Sequence, residues 1–176
     1  LTLTIRQLTP SLIERRVDVV AHDAAQFSLE FSFNPAIDGE YASFSGPESG
    51  RKLYETFGGG PEYGEIAGQT FPVGMIRAAN RVFGILADSP GRWENRCQIL
   101  IDPTTRSLGV NTGDGTPPRE LKIKYDARDQ YSYQMDGWQT LKAGASRSFS
   151  TWLFASPATS HFQAQLAAHL ALANAK

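Results

Sequence analysis

Apolar and polar residues alternate along much of this chain with the two-residue period of a half-buried strand. LTLTIRQ (Leu1–Gln7) opens in that rhythm, and VDVVA (Val17–Ala21) reads as a second strand. FSLEFSF (Phe27–Phe33) is the clearest case. Phe27, Leu29, Phe31 and Phe33 share one face, and Ser28, Glu30 and Ser32 share the other, as in a sheet with one wet side. Strands are predicted again at Thr70–Ala78 and Arg81–Ala87, joined by Ala79-Asn80, then at Cys97–Asp102, Glu120–Asp126, Tyr131–Met135 and Ser146–Ala155. Asp102-Pro103-Thr104-Thr105 has the residues of a type I turn, with Asp first and Pro second. Between Asn34 and Gln69 the chain turns rich in Gly, Ser, Pro and Glu while keeping Tyr41, Phe44, Tyr54, Phe57 and Tyr63. Disordered segments are poor in aromatics. An ordered excursion packed against something else is therefore expected there.

Only the last segment, SHFQAQLAAHLALANAK, has the period of a helix. Ser160 and Gln163 have capping-box spacing. Phe162, Leu166, Leu170 and Ala173 fall three or four apart on one stripe, and Phe162, Leu166 and Leu170 are expected to bury either against the sandwich or against a continuation of the chain. Many strands followed by one helix predict an all-β fold, an antiparallel β-sandwich of eight or more strands. The expected division is a sandwich over 1–156 and a helix over 157–176.

A chain of 176 residues is long enough for one domain that buries roughly 70% of its unfolded surface. The net charge of −1, with no dense Lys/Arg run, argues against nucleic acid as a partner. Its apolar runs fall far short of the ~20 residues of a membrane-spanning helix. Cys97 is the single cysteine, which rules out an intrachain disulfide. In the run Cys-Gln-Ile-Leu-Ile it reads as a small residue of a strand. These features leave the compartment open. The chain begins at Leu1 and ends at Lys176 within a helical pattern, and both ends suggest one domain of a longer protein.

Candidate chemistry gathers in FGILADSPGRWENRCQILIDP (Phe83–Pro103). Asp88-Ser89-Pro90-Gly91 has turn chemistry, so an antiparallel hairpin is expected. Phe83, Ile85 and Ala87 on one arm should meet Cys97, Ile99 and Ile101 on the other. At the hairpin end Asp88, Arg92, Trp93, Glu94 and Asn95 crowd together. The plain reading is a solvated hairpin end whose charges pair with one another. The functional reading is a sugar site: an indole can stack on a pyranose face while amide, guanidinium and carboxylate groups bond its hydroxyls, the usual make-up of a small-ligand site. Trp93 is the residue such a site would turn on. No metal or cofactor site is expected. His161 and His169 stand eight apart rather than at i, i+4, and His22-Asp23 is an isolated pair. Gly58–Gly60 runs into Pro61 rather than the Lys-Ser/Thr of a phosphate loop.

The order of elements resembles the N-terminal β super-sandwich of glycoside hydrolases and phosphorylases that have an α-helical toroid catalytic domain. TFPVGMIRAANRVFGILAD is similar to the strand pair running toward the toroid, and DSPGRWENR to its connecting loop. LKAGASRSFSTWLFAS resembles the last sandwich strand, and TSHFQAQLAAHLALANAK the start of the linker helix. The resemblance spans roughly the last 110 residues and carries no catalytic signature. It implies a non-catalytic accessory domain, partnered by a helical catalytic domain of the same polypeptide, with loops that edge a carbohydrate site or hold an oligomer. The catalytic acids would lie in the toroid, so no catalytic residue is expected here.

Two other readings stay open. One is a stand-alone carbohydrate-binding or adhesion module with Trp93, Trp138 or Trp152 as its platform; of these, Trp152 is expected in the core and Trp138 at the surface. The other is a β-fold enzyme working through Glu94 or Asp88.

Overall fold

The computed structural model describes residues 1–43, 46–48, 53–57, 73–87, 97–112, 119–124, 130–135 and 138–175. It is all-β, with one helix among these residues. The chain opens with β1 (Thr2–Thr9), β2 (Leu12–Val20), β3 (Ala25–Phe27) and β4 (Glu30–Phe33). Next come β5 (Glu40–Ser43), β6 (Gly46–Glu48) and β7 (Leu53–Phe57), then β8 (Val73–Ala78), β9 (Arg81–Ala87), β10 (Cys97–Asp102) and β11 (Ser107–Asn111). The last strands are β12 (Arg119–Lys124), β13 (Gln130–Met135), β14 (Gln139–Leu141) and β15 (Ser146–Pro157), before α1 (His161–Ala175).

Two antiparallel sheets face each other as a sandwich. The larger has seven strands in the order β1-β2-β15-β9-β8-β5-β6, and the smaller has four, β4-β11-β10-β7. Two-stranded ribbons, β12-β13 and β3-β14, complete the count. Strand alternation explains which residues meet between the sheets. Val17, Ile76, Ile85, Ala87 and Phe149 project from the larger sheet onto Phe31, Ile99, Ile101, Leu108 and Val110 of the smaller one. The next residue along each strand points the other way. Leu12, Val73, Met75, Val82, Leu86, Trp152 and Phe154 form a second core on the outer face of the larger sheet, and α1 covers it.

Four sequence expectations change here. FSLEFSF breaks after Phe27, so its two halves join different sheets. Its faces nonetheless hold: Phe31 is buried, and Phe27, Leu29 and Phe33 pack on the same core. The described part of the stretch after Asn34 is not an excursion beside the fold. It supplies β5, next to β8, and β6 to the larger sheet, and β7, next to β10, to the smaller one.

The hairpin expected over Phe83–Pro103 is instead a crossover. β9 pairs with β8 and β15, whereas β10 pairs with β11 and β7. Ile85, Ala87, Ile99 and Ile101 do share one core, but from facing sheets rather than side by side. Both arrangements require the same apolar alternation, so periodicity alone cannot separate them.

Of the two seats expected for the helix stripe, the sandwich is not the one taken. Phe162, Leu166 and Leu170 are 73%, 49% and 57% exposed, and Ala173 is exposed too. Ala164, Ala167 and Ala168 are buried in their place, with Ala171, Leu172 and Ala175 half-buried beside them. The sheet face beneath already carries Trp152, Phe154, Leu86 and Met75. Large side chains below and alanines above fill one layer, with the helix backbone close to the sheet. The reverse choice would put large groups on both sides of a space already filled.

Candidate functional site

The residues singled out in sequence, Asp88, Arg92, Trp93, Glu94 and Asn95, lie outside the described residues. Their anchors are described. Ala87 ends β9 opposite Thr151, and Cys97 begins β10 opposite Phe57. Of the other two tryptophans, Trp152 is buried in the outer core, 4% exposed, as expected. Trp138 is half-buried rather than fully exposed. Neither offers a free indole platform.

Several of the described acids are bound into the architecture. Glu14 pairs with Arg6 at 2.8 Å, and Asp38 with Arg106 at 2.8 Å. Asp18 accepts from Arg16 and Ser148, and these bonds hold its carboxyl below the usual carboxylate range. Asp102 Oδ1 accepts from the backbone N–H of Thr104 and Thr105 at 3.0 and 3.2 Å, closing the turn read from Asp-Pro-Thr-Thr. Among the described residues no group of three or more His, Cys, Asp and Glu is placed to hold a metal ion. No described helix is long and apolar enough to cross a membrane.

The feature that most invites a partner is the solvent side of α1. Its start is fixed by side chains. Ser160 Oγ accepts from Gln163 N–H at 3.2 Å, the forward half of a capping box. The return bond lands one residue earlier than the sequence suggests. Gln163 Oε1 accepts from the N–H and hydroxyl of Thr159, at 2.6 and 2.7 Å. The chain before the helix is tied to the β8–β9 turn, where Ala158 N–H donates to Asn80 O. Docked by alanines and pinned at its start, α1 holds Phe162, Leu166 and Leu170 at i, i+4 and i+8, one row facing water.

Beside this row lies a polar cluster that no sequence pattern announces, because Glu40 and Arg77 lie far in the chain from each other and from Thr159, His161 and Gln165. Arg77 NH2 donates to Glu40 Oε2 at 2.8 Å, and Arg77 NH1 to Thr159 O at 3.3 Å. His161 Nδ1 stands 3.8 Å from Glu40 Oε1, and its Nε2 lies 3.0 Å from Gln165. The hydrogen bond from Arg77, helped by its charge, holds the Glu40 carboxyl below its ordinary value of 4.5. A carboxyl depressed in the folded state adds stability that is complete above its unfolded pKa and is lost as pH falls through its folded one. The Tm of the wild type should therefore fall more steeply below about pH 5 than that of Glu40→Gln. Thermal melts across an acid series test this, and parallel pH profiles would refute the pairing.

Phe162, Leu166, Leu170 and this cluster form an exposed apolar row with a polar margin. Comparison of the chain with protein-family models, curated proteins and solved structures gave no match to any of them.

Proposed function

We propose that this chain is a non-catalytic β-sandwich domain of a carbohydrate-active enzyme, and that α1 seats it against a helical catalytic domain of the same polypeptide. The observation that carries this reading is the helix. It is apolar on both sides, gripping the sandwich with alanines and offering Phe162, Leu166 and Leu170 outward. Monomeric proteins rarely leave such rows uncovered. The sugar class rests on the resemblance of 70–88, 88–96, 141–156 and 159–176 to super-sandwich segments.

The test uses the complete gene product with Phe162, Leu166 and Leu170 all changed to serine. The side chains are exposed, so the sandwich itself should melt within a few degrees of wild type. Turnover of a broad panel of disaccharides and oligosaccharides, by hydrolysis or phosphorolysis, should be present in the wild type and drop at least about tenfold in the variant, the equivalent of roughly 1.4 kcal/mol. A gene product inert on every sugar would refute the enzyme class. Full activity in the variant would refute the docking role of α1. Glycan-array binding by this chain alone would point to a binding module instead.

A further inference from the structure

The larger sheet ends in a strand left open. Among the described residues β1 has β2 as its one neighbour, and residues 2–7 are exposed on both faces. Leu3 pairs with Val17 and Ile5 with Arg15, which places Leu1, Leu3 and Ile5 on the face that builds the inter-sheet core. They reach past the smaller sheet. Its nearest strand, β4, stops at β2, where Arg15 NH1 donates to Ser32 O at 2.7 Å and the guanidinium lies over Phe31. The core face of the larger sheet thus runs on as an apolar shelf, with Leu1 79%, Leu3 57% and Ile5 64% exposed.

Natural sheets blunt their edges with charge, proline, bulges or short strands, because an open edge templates pairing with another chain. Other edges here are treated that way. The outward carbonyl of Ser32 on β4 is taken by Arg15, and β6 is three residues long with Pro47 at its centre. β1 has no proline and is eight residues long. Its single charge, Arg6, is already neutralised by Glu14 at 2.8 Å. Its one register irregularity falls between Gln7 and Thr9, at the far end.

We infer that β1 is a self-association edge, and that its occupant is β1 of a second copy, paired antiparallel about a twofold axis at Thr4. The strand is complementary to itself in that register. Leu3 meets Ile5 of the other copy twice over, Thr4 meets Thr4, and Thr2 meets Arg6, so apolar lies on apolar and no like charges stand opposite. A shift of the axis to Ile5 would set Leu3 against Gln7 and leave Ile5 on Ile5 as the one apolar pair, and a shift to Leu3 would cut the ladder within β1 to residues 2–4. Two seven-stranded sheets would join into one continuous sheet, and the twofold consumes both edges, so growth stops at the dimer. A contact of one strand and three apolar side chains per copy is well below the roughly 800 Å² per partner of a standard interface. The dimer is therefore weak, with Kd on the order of 10–100 μM. This inference is independent of the sugar reading and uses a different surface from α1.

Sedimentation velocity of the chain from about 5 to 500 μM, spanning that Kd, should show the average mass climbing toward twice the monomer. Leu3→Lys with Ile5→Lys should hold the protein at monomer mass over the same range with unchanged circular dichroism, since both side chains are exposed. The Phe162/Leu166/Leu170 serine variant should dimerise as wild type does. Thr4→Cys in a Cys97→Ser background tests the axis. Directly opposed strand residues lie about 4.5–5.5 Å apart at Cα, within disulfide reach. Mild oxidation should link Thr4→Cys several-fold faster than Thr2→Cys. A wild type that stays monomeric at every concentration overturns the inference. So do a lysine variant that still dimerises, growth beyond the dimer, or equal cross-linking at the two positions.

Discussion

Truncating Phe149 to alanine should destabilise the protein by about 3–5 kcal/mol, the usual cost of removing a buried aromatic ring. Phe149 is fully buried and lies on β15, the strand that joins β2 on one side to β9 on the other. Its ring meets Phe27 edge-on with centroids 6.0 Å apart, a favoured aromatic geometry. Neighbours in the same core come from β2, β4, β9 and β11, so no single side chain can move in to fill the space. For a chain of this length each kcal/mol shifts Tm by about 2–4 °C, and the expected drop is roughly 6–20 °C. Urea unfolding of Phe149→Ala beside Phe27→Ala would check it. Phe27 is only half-buried, and its variant should lose less. A loss under about 1 kcal/mol at Phe149 would mean that the two sheets do not pack face to face there.

Phe149 also shows what the sequence made legible. In SRSFSTWLFA the alternation puts Phe149, Thr151 and Leu153 on one face and Trp152 and Phe154 on the other, and the structure keeps that division. Period-two patterning reports which residues share a face, because backbone geometry alone sets it. It does not report which strand lies alongside. That is why Ile85 and Ile99 were correctly expected to share a core, yet β9 and β10 were expected in one sheet and lie in two. The seat of the helix is hidden from the sequence for a different reason. Hydrophobicity ranks Phe162, Leu166 and Leu170 above Ala164, Ala167 and Ala168, but burial is decided by the space that the sheet leaves. The bulk beneath the helix comes from Leu86, Trp152 and Phe154, far away in sequence. The Glu40–Arg77–Thr159 cluster was invisible for the same reason. The Trp93 group remains a sequence expectation, outside the described residues.

The seat of the helix leads to the other large effect, at a residue with no side chain. Gly84 lies in the middle of β9, paired with Met75 on β8 and Phe154 on β15. A Cβ built there would fall on Phe154 Cε1, within 2.5 Å of its Cζ and 2.9 Å of Gly74 O. The Phe154 ring occupies the space over Gly84 because nothing projects from it. The ring cannot swing away freely, since it is 4% exposed and shares its core with Ala164, Ala167 and Ala168 of α1. Gly84→Ala must therefore displace the ring, and through the ring the helix. Overpacking of this kind typically costs about 1–3 kcal/mol, and a bulkier Gly84→Val should cost more. If the clash with Phe154 is the cause, shortening that side chain should relieve it. Gly84→Ala combined with Phe154→Leu should then be less destabilised than the sum of the two single changes, by about 0.5–3 kcal/mol in a double-mutant cycle. Strict additivity would mean that the ring does not lie over Gly84. Because the same displacement tilts α1, Gly84→Ala should also disturb the outward row of Phe162, Leu166 and Leu170 without touching any of them.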